Sequence, residues 1–251
     1  MKRIYQTIFY GLLLLLASCT SDDITIIEED LEEIVEEIID DDDEVIITNS
    51  TNILALGDSY TIGQSVCETC RFPEQLKSNL IETFNDGTTF NLKVIAQTGW
   101  TTNNLINAIS NENPENNNDL VTLLIGVNNQ YQNKAFSVYE TEFPLLVSEA
   151  IELAQNDKSN VIVISIPDYA YTPFGQNYGN TQNTSSEIDQ YNAFAENYCN
   201  EQNITFVNIT DITRQGLNNP SLVASDGLHP SQLTYSMFVQ RLLPIAIEKI
   251  Q

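Results

Sequence analysis

The sequence predicts an α/β fold, a doubly wound parallel sheet of five strands with helices on both faces. Three observations lead there. Five short runs rich in Val, Ile and Leu alternate with longer stretches of helical spacing. Those runs are short and continuous, the pattern of buried parallel strands. The 251 residues, 42% of them hydrophobic, suffice for one sizeable core, with no internal repeat and no second domain.

The first residues read as an export signal: Lys2 and Arg3, an apolar run to Leu16, then small residues. The apolar stretch is shorter than the roughly 20 residues of a membrane-spanning helix. It ends in Leu16-Ala17-Ser18-Cys19, which resembles a bacterial lipobox. That resemblance implies a signal peptide over 1–18, cleavage before Cys19, and lipidation of Cys19; plain secretion is the alternative. Thr20-Ser21-Asp22-Asp23 resembles a signal for the outer face of the outer membrane, so an outer-membrane lipoprotein on the periplasmic or cell-surface face is expected.

Net charge is -25, and 14 of the 35 acids fall between Asp22 and Glu44, where there is no Lys or Arg. Nucleic acid and anionic membrane surfaces would be repelled, so neither is an expected partner. Ile27, Leu31, Ile34 and Ile38 keep helical spacing within this segment, which would suit a partner helix. Self-repulsion favours instead a solvated tether over 19–48 that holds the globular domain, 49–251, away from the membrane.

Within the domain, strands are expected at 53–56, 92–96, 121–125, 161–166 and 205–207. Helices are expected at 72–83, 102–110, 137–156, 187–202 and 231–250. In such sheets the site lies at the carboxyl ends of the strands. The first strand runs into Gly57-Asp58-Ser59, a tight turn that presents an exposed serine at a helix start. α/β hydrolytic enzymes display a nucleophile this way, and the helix N-terminus favours negative charge forming beside it. An ordinary βα turn with a capping residue has the same local pattern.

A serine nucleophile needs a base, and the chain holds one histidine, His229. It lies in Asp226-Gly227-Leu228-His229-Pro230, with Pro230 suited to the first position of the last helix. Asp226 is close enough in sequence to orient the imidazole, although Asp-Gly is equally a plain turn. Oxyanion donors would come from neighbouring strand ends: the backbone N–H of Gly99 and the side-chain amide of Asn128.

Gly57-Asp58-Ser59-Tyr60, Gly99, Gly126-Val127-Asn128 and Asp226-Gly227-Leu228-His229 stand in the order of the four blocks of SGNH (GDSL-type) hydrolases, and the chain resembles that family from about 52 to 250. The resemblance implies a three-layer α/β/α sandwich of flavodoxin-like type and ester hydrolysis through an acyl-enzyme, with no metal or cofactor. It makes Ser59 the nucleophile, His229 the general base and Asp226 its orienting acid. The N–H groups of Ser59 and Gly99 and the Asn128 amide would form the oxyanion hole. Tyr60 stands where the family has leucine, and Asn129 where aspartate often follows the block-three asparagine.

Cys67 and Cys70 suit a loop-tightening disulfide in an exported protein, with a redox pair as the alternative. A zinc site would need more ligands than one histidine and Cys199 supply, and Cys199 reads as a buried core thiol. After the fourth strand, 167–186 reads as a long polar loop overhanging the site. Its Tyr169, Tyr171, Phe174 and Tyr178 stack on a sugar ring, line an acyl pocket, or only pin the loop to the body.

These readings lead to a monomeric serine esterase acting on small acyl esters, with acetyl groups on carbohydrate as the substrate expected. A lipase, thioesterase or lysophospholipase on the same triad is the first rival, disfavoured because the loops are mostly polar. A surface binding module that kept the fold without turnover is the second. Loss of Ser59, His229 or Asn128 would mark it, and all three are present.

Overall fold

The computed structural model describes residues 50–251. The signal peptide expected over 1–18, the lipidation site Cys19 and the tether over 19–48 lie outside the described residues.

Five parallel strands form one sheet in the order β2-β1-β3-β4-β5: β1 Ser50–Gly57, β2 Thr89–Ala96, β3 Leu120–Leu124, β4 Val161–Ile164 and β5 Thr205–Val207. Every residue of β3 and β4 is buried, whereas edge strand β2 alternates between exposed and covered positions. That contrast is what burial on both faces against one face requires. Each fully covered Leu, Ile or Val contributes about 1.5–3 kcal/mol relative to exposure, so the central strands hold the fold. β4 stops at Ile164, before the expected 166, because the Ile166 N–H is taken by the Asn192 side chain at 2.8 Å.

The helices are α1 Ser59–Ile62, α2 Phe72–Phe84, α3 Thr102–Glu112, α4 Val127–Tyr131, α5 Phe136–Leu153, α6 Pro173–Tyr178, α7 Thr181–Gln202, α8 Thr210–Thr213 and α9 Gln232–Ile250. α2 and α9 pack together on one face of the sheet, and α3, α5 and α7 form the layer on the other. Cys199 of α7 is fully buried, and burial pushes its thiol up to about 12. α5 ends three residues early because Gln155 and Asn156 adopt positive φ, which a helix cannot continue.

Two expectations are corrected. The stretch 167–186 is not an open loop: it holds a 3-10 turn at Tyr169–Tyr171, helix α6 and the first turns of α7. Its Asp, Thr and Asn residues are caps. Asp168 accepts from Ala170 N, Thr172 from Gly175 N, and Asn180 from Asn183 N. Polar composition there marks helix starts rather than disorder. Pro230 does not open the last helix either. It lies in an isolated antiparallel bridge with Val223, and Ser231 caps α9 through the Thr234 N–H.

Register brings the site together. Gly57 at the end of β1 is level with Ala96 of β2 and Leu124 of β3, so the loops after all three strands rise from one rim. A Cβ on Gly57 would stand 2.1 Å from Thr61 Oγ1 and 2.5 Å from the Leu124 carbonyl oxygen. Only glycine lets β1 turn this closely against β3.

Candidate active site

Ser59 opens α1, where the Asp58 carboxylate caps the turn by accepting from Tyr60 N at 3.0 Å. The sequence predicts an exposed serine, but Ser59 is only 3% exposed. The level strand ends account for this, because the loops after β2 and β3 rise around it. Tyr60, in the family's leucine position, is buried and packs its ring against His229 with centroids 5.2 Å apart. Among the described residues Ser59 and His229 form no hydrogen bond. The tyrosine beside the serine carries the contact between the two loops. Catalytic hydrogen bonds commonly tighten only when substrate binds.

Asp226 does reach His229. Its Oδ2 accepts from His229 Nδ1 at 2.6 Å, and its Oδ1 accepts from the backbone N–H groups of Leu228 and His229 at 2.9 and 3.0 Å. A second donor, Ser65 Oγ, meets the same Oδ2 at 2.6 Å. Burial pushes the Asp226 carboxyl up, but the bonds from Ser65, His229 and the two backbone groups outweigh it and bring it down to about 2. An ionised carboxylate only accepts, so the imidazole proton sits on Nδ1 and Nε2 is left with a free lone pair. That is the tautomer a general base needs.

The groups expected to form the oxyanion hole sit on the loops after β1, β2 and β3. Ser59 N–H and Gly99 N–H are spent on no other described residue. The Asn128 amide, one residue into α4, donates to the Trp100 carbonyl at 3.0 Å and to Asp58 Oδ2 at 3.3 Å. α4 can start there because Gly126 takes φ +130°, and a Cβ would meet the Tyr139 ring at 2.6 Å. Asn129 is fully buried. It accepts from Thr102 N at 2.9 Å and donates to Thr102 Oγ1 at 2.6 Å, fastening the loop after β3 to the start of α3. Aspartate could accept but not donate there, so the amide suits this neighbour.

Asp58 is fully buried, and burial pushes its carboxyl up to about 7 against the opposing pull of the Tyr60 N–H and the Asn128 amide. The folded state keeps a proton that the unfolded chain releases near 3.8, so rising pH removes stability between about 4 and 7. The limiting slope is about 1.4 kcal/mol per pH unit. Asp58→Asn should lack this component. Urea unfolding at pH 4.5 and 7.5 should show the wild type losing ground to the variant as pH rises, and equal pH dependence would refute the assignment.

The loop aromatics divide. Tyr169 is buried and donates to Gln130 Oε1 at 2.8 Å, pinning the loop to α4. Phe174 is half-buried in a stack with Tyr131 and Tyr178, and its N–H donates to the Gly227 carbonyl at 2.9 Å, tying α6 to the Asp226–His229 loop. Tyr171 is exposed at the edge of a hollow of about 440 Å³ that Gln176, Ser185 and Asp189 also line. The buried Asp168 holds this region through Arg214 Nε at 2.9 Å and Ser185 Oγ at 2.5 Å, an anchor sequence reading missed. Cys67 and Cys70 form a disulfide on the loop after α1.

The profile of the GDSL-like lipase/acylhydrolase family matches residues 55–237. Among solved structures, a variant of an acetyl xylan esterase from Geobacillus stearothermophilus aligns with TM-score 0.60 at 18% identity, covering 79% of this chain and 96% of that one. A lipase/acylhydrolase from Enterococcus faecalis aligns with TM-score 0.59 at 18% identity, covering 79% and 95%. A member of the lipolytic G-D-S-L family from Veillonella parvula aligns with TM-score 0.58 at 18% identity, covering 77% and 97%. At such identities these likenesses speak for the fold. No curated relative matches the sequence.

Proposed function

This chain belongs to the GDSL-like lipase/acylhydrolase family, and from that premise we propose that it hydrolyses small acyl esters, acetyl esters of carbohydrates foremost, through an acyl-enzyme on Ser59. The observation that carries the reading is the 2.6 Å bond between Asp226 Oδ2 and His229 Nδ1, on a loop whose histidine packs against the residue after the serine.

In the proposed reaction His229 Nε2 takes the Ser59 hydroxyl proton as Oγ attacks the ester carbonyl carbon. The carbonyl oxygen becomes negative and is held by the N–H groups of Ser59 and Gly99, joined by the Asn128 amide once it gives up its bond to Asp58 or to the Trp100 carbonyl. Collapse breaks the bond to the alcohol, which leaves with the proton from His229. Water then repeats the sequence on the acyl-enzyme, releasing the acid and restoring Ser59. Asp226 stabilises the imidazolium in both halves.

The short-acyl preference is supported by Tyr131, Phe174 and Tyr178, whose rings stack on one another beside the Asp226–His229 loop and so fill space a long acyl chain would need. The likeness to an acetyl xylan esterase supports the carbohydrate side. Hydrolysis of p-nitrophenyl acetate, butyrate and decanoate by the purified protein tests it. Acetate should give the highest kcat/KM. A decanoate optimum would establish the lipase reading instead, and no turnover on any of the three would reject the short-acyl esterase.

A further inference from the structure

Ser65 belongs to no motif, yet it meets the oxygen that orients the imidazole. Its hydroxyl donates to Asp226 Oδ2 at 2.6 Å, the same distance at which that oxygen accepts from His229 Nδ1. The two residues are 161 positions apart, so the contact is a product of the tertiary fold. Ser65 has φ +68°, a left-handed conformation that a serine adopts at a cost and a glycine would not. Its loop is braced on both sides. Gly63 N–H returns to the Ser59 carbonyl at 3.1 Å, and Cys67 is bonded to Cys70. The Cys70 carbonyl accepts from Gln75 Nε2 of α2, which also reaches the Gln232 carbonyl at the start of α9. The Asp226 side chain keeps 29% of its surface exposed, so water could satisfy Oδ2 without any protein donor. Oδ1 is already held by the Leu228 and His229 N–H groups, so a braced serine at Oδ2 would remove the freedom that remains, which exchanging water would leave.

We propose that Ser65 is a positioning residue of the reaction, holding the Asp226 carboxylate so that Oδ2 stays aligned with His229 Nδ1. The proposal rests on the reading of His229 as general base. Without Ser65, Oδ2 would be shared between His229 and solvent while Oδ1 stayed on its backbone donors, and the imidazole would lose its fixed direction for part of the time. The cost falls on proton transfer, so kcat should drop while KM holds.

Ser65→Gly is the discriminating variant, because it deletes the hydroxyl and relieves the left-handed backbone together. A purely structural serine would leave kcat and the His229 signal where they are. The expected result is an unchanged or raised Tm, kcat on p-nitrophenyl acetate lowered about tenfold, as loss of one hydrogen bond to a charged group implies, and KM within about twofold. Ser65→Ala, with the strain retained, should lower kcat equally. Because His229 is the sole histidine of the chain, 15N-histidine labelling of the untagged, full-length protein reports on it alone. The wild type should show a downfield imidazole N–H resonance that Ser65→Gly shifts upfield or broadens by exchange with water. An unchanged resonance in Ser65→Gly overturns the proposal, whatever the kinetics show. A changed resonance in a protein with no turnover on any ester would support the role of Ser65 while rejecting the esterase reading, so the two failures are distinguishable.

Discussion

Ser59→Ala removes ester turnover, lowering kcat by about a million-fold, the scale on which serine hydrolases lose activity when the nucleophile goes. Water activated by His229 would be the remaining nucleophile, and it lacks the fixed position against the ester carbonyl that Ser59 has. The variant should fold normally. The turn is held by backbone bonds, with the Asp58 carbonyl accepting from Thr61 and Ile62 and the Ser59 carbonyl from Gly63 and Gln64, all of which alanine keeps. Steady-state hydrolysis of p-nitrophenyl acetate beside a thermal melt separates the two effects. More than a hundredth of wild-type kcat in a fully folded variant would place the nucleophile elsewhere.

Asp226→Asn is expected to lower kcat about ten-thousand-fold with little change in KM, through the wrong tautomer rather than lost geometry. Asparagine brings one oxygen and one NH2 group where the carboxylate brings two acceptors. The oxygen goes to the Leu228 and His229 N–H groups, which Oδ1 now serves at 2.9 and 3.0 Å. The NH2 group then faces His229 Nδ1, which must accept, and the ring proton moves to Nε2. An imidazole protonated at Nε2 cannot take the serine proton. Kinetics on the same ester, with the 15N-histidine spectrum as a check of tautomer, test this. A variant with kcat within tenfold of wild type would remove Asp226 from the role.

Asp226 and His229 were legible as the Asp-x-x-His before the last helix. Ser59, Gly99 and Asn128 were legible because each follows closely on an apolar run, and in a parallel sheet those ends share one rim. Strand and helix order followed from periodicity for the same reason. The supports were not legible. Ser65 meets Asp226 across 161 positions, and Asn129 meets Thr102 across 27, and no local pattern encodes such pairings. Asp58 was visible only as a motif letter, since its perturbed carboxyl comes from what packs around it. The segment 167–186 was misread because Asn, Thr and Ser serve caps and loops alike. The serine expected at the surface lies under loops whose height depends on sheet register, which single strands do not reveal.

The order of functional groups along the polypeptide has a consequence for biosynthesis. The proposed nucleophile follows the first strand, while the proposed base and its acid sit on the loop before the last helix, whose docking on α2 completes one layer of the sandwich. A chain made from its N-terminus displays Ser59 early but gains His229 only near its end. On the proposed reading, copies truncated before His229 would be inert towards esters, and turnover would begin only once the loop before α9 has closed onto the end of β1.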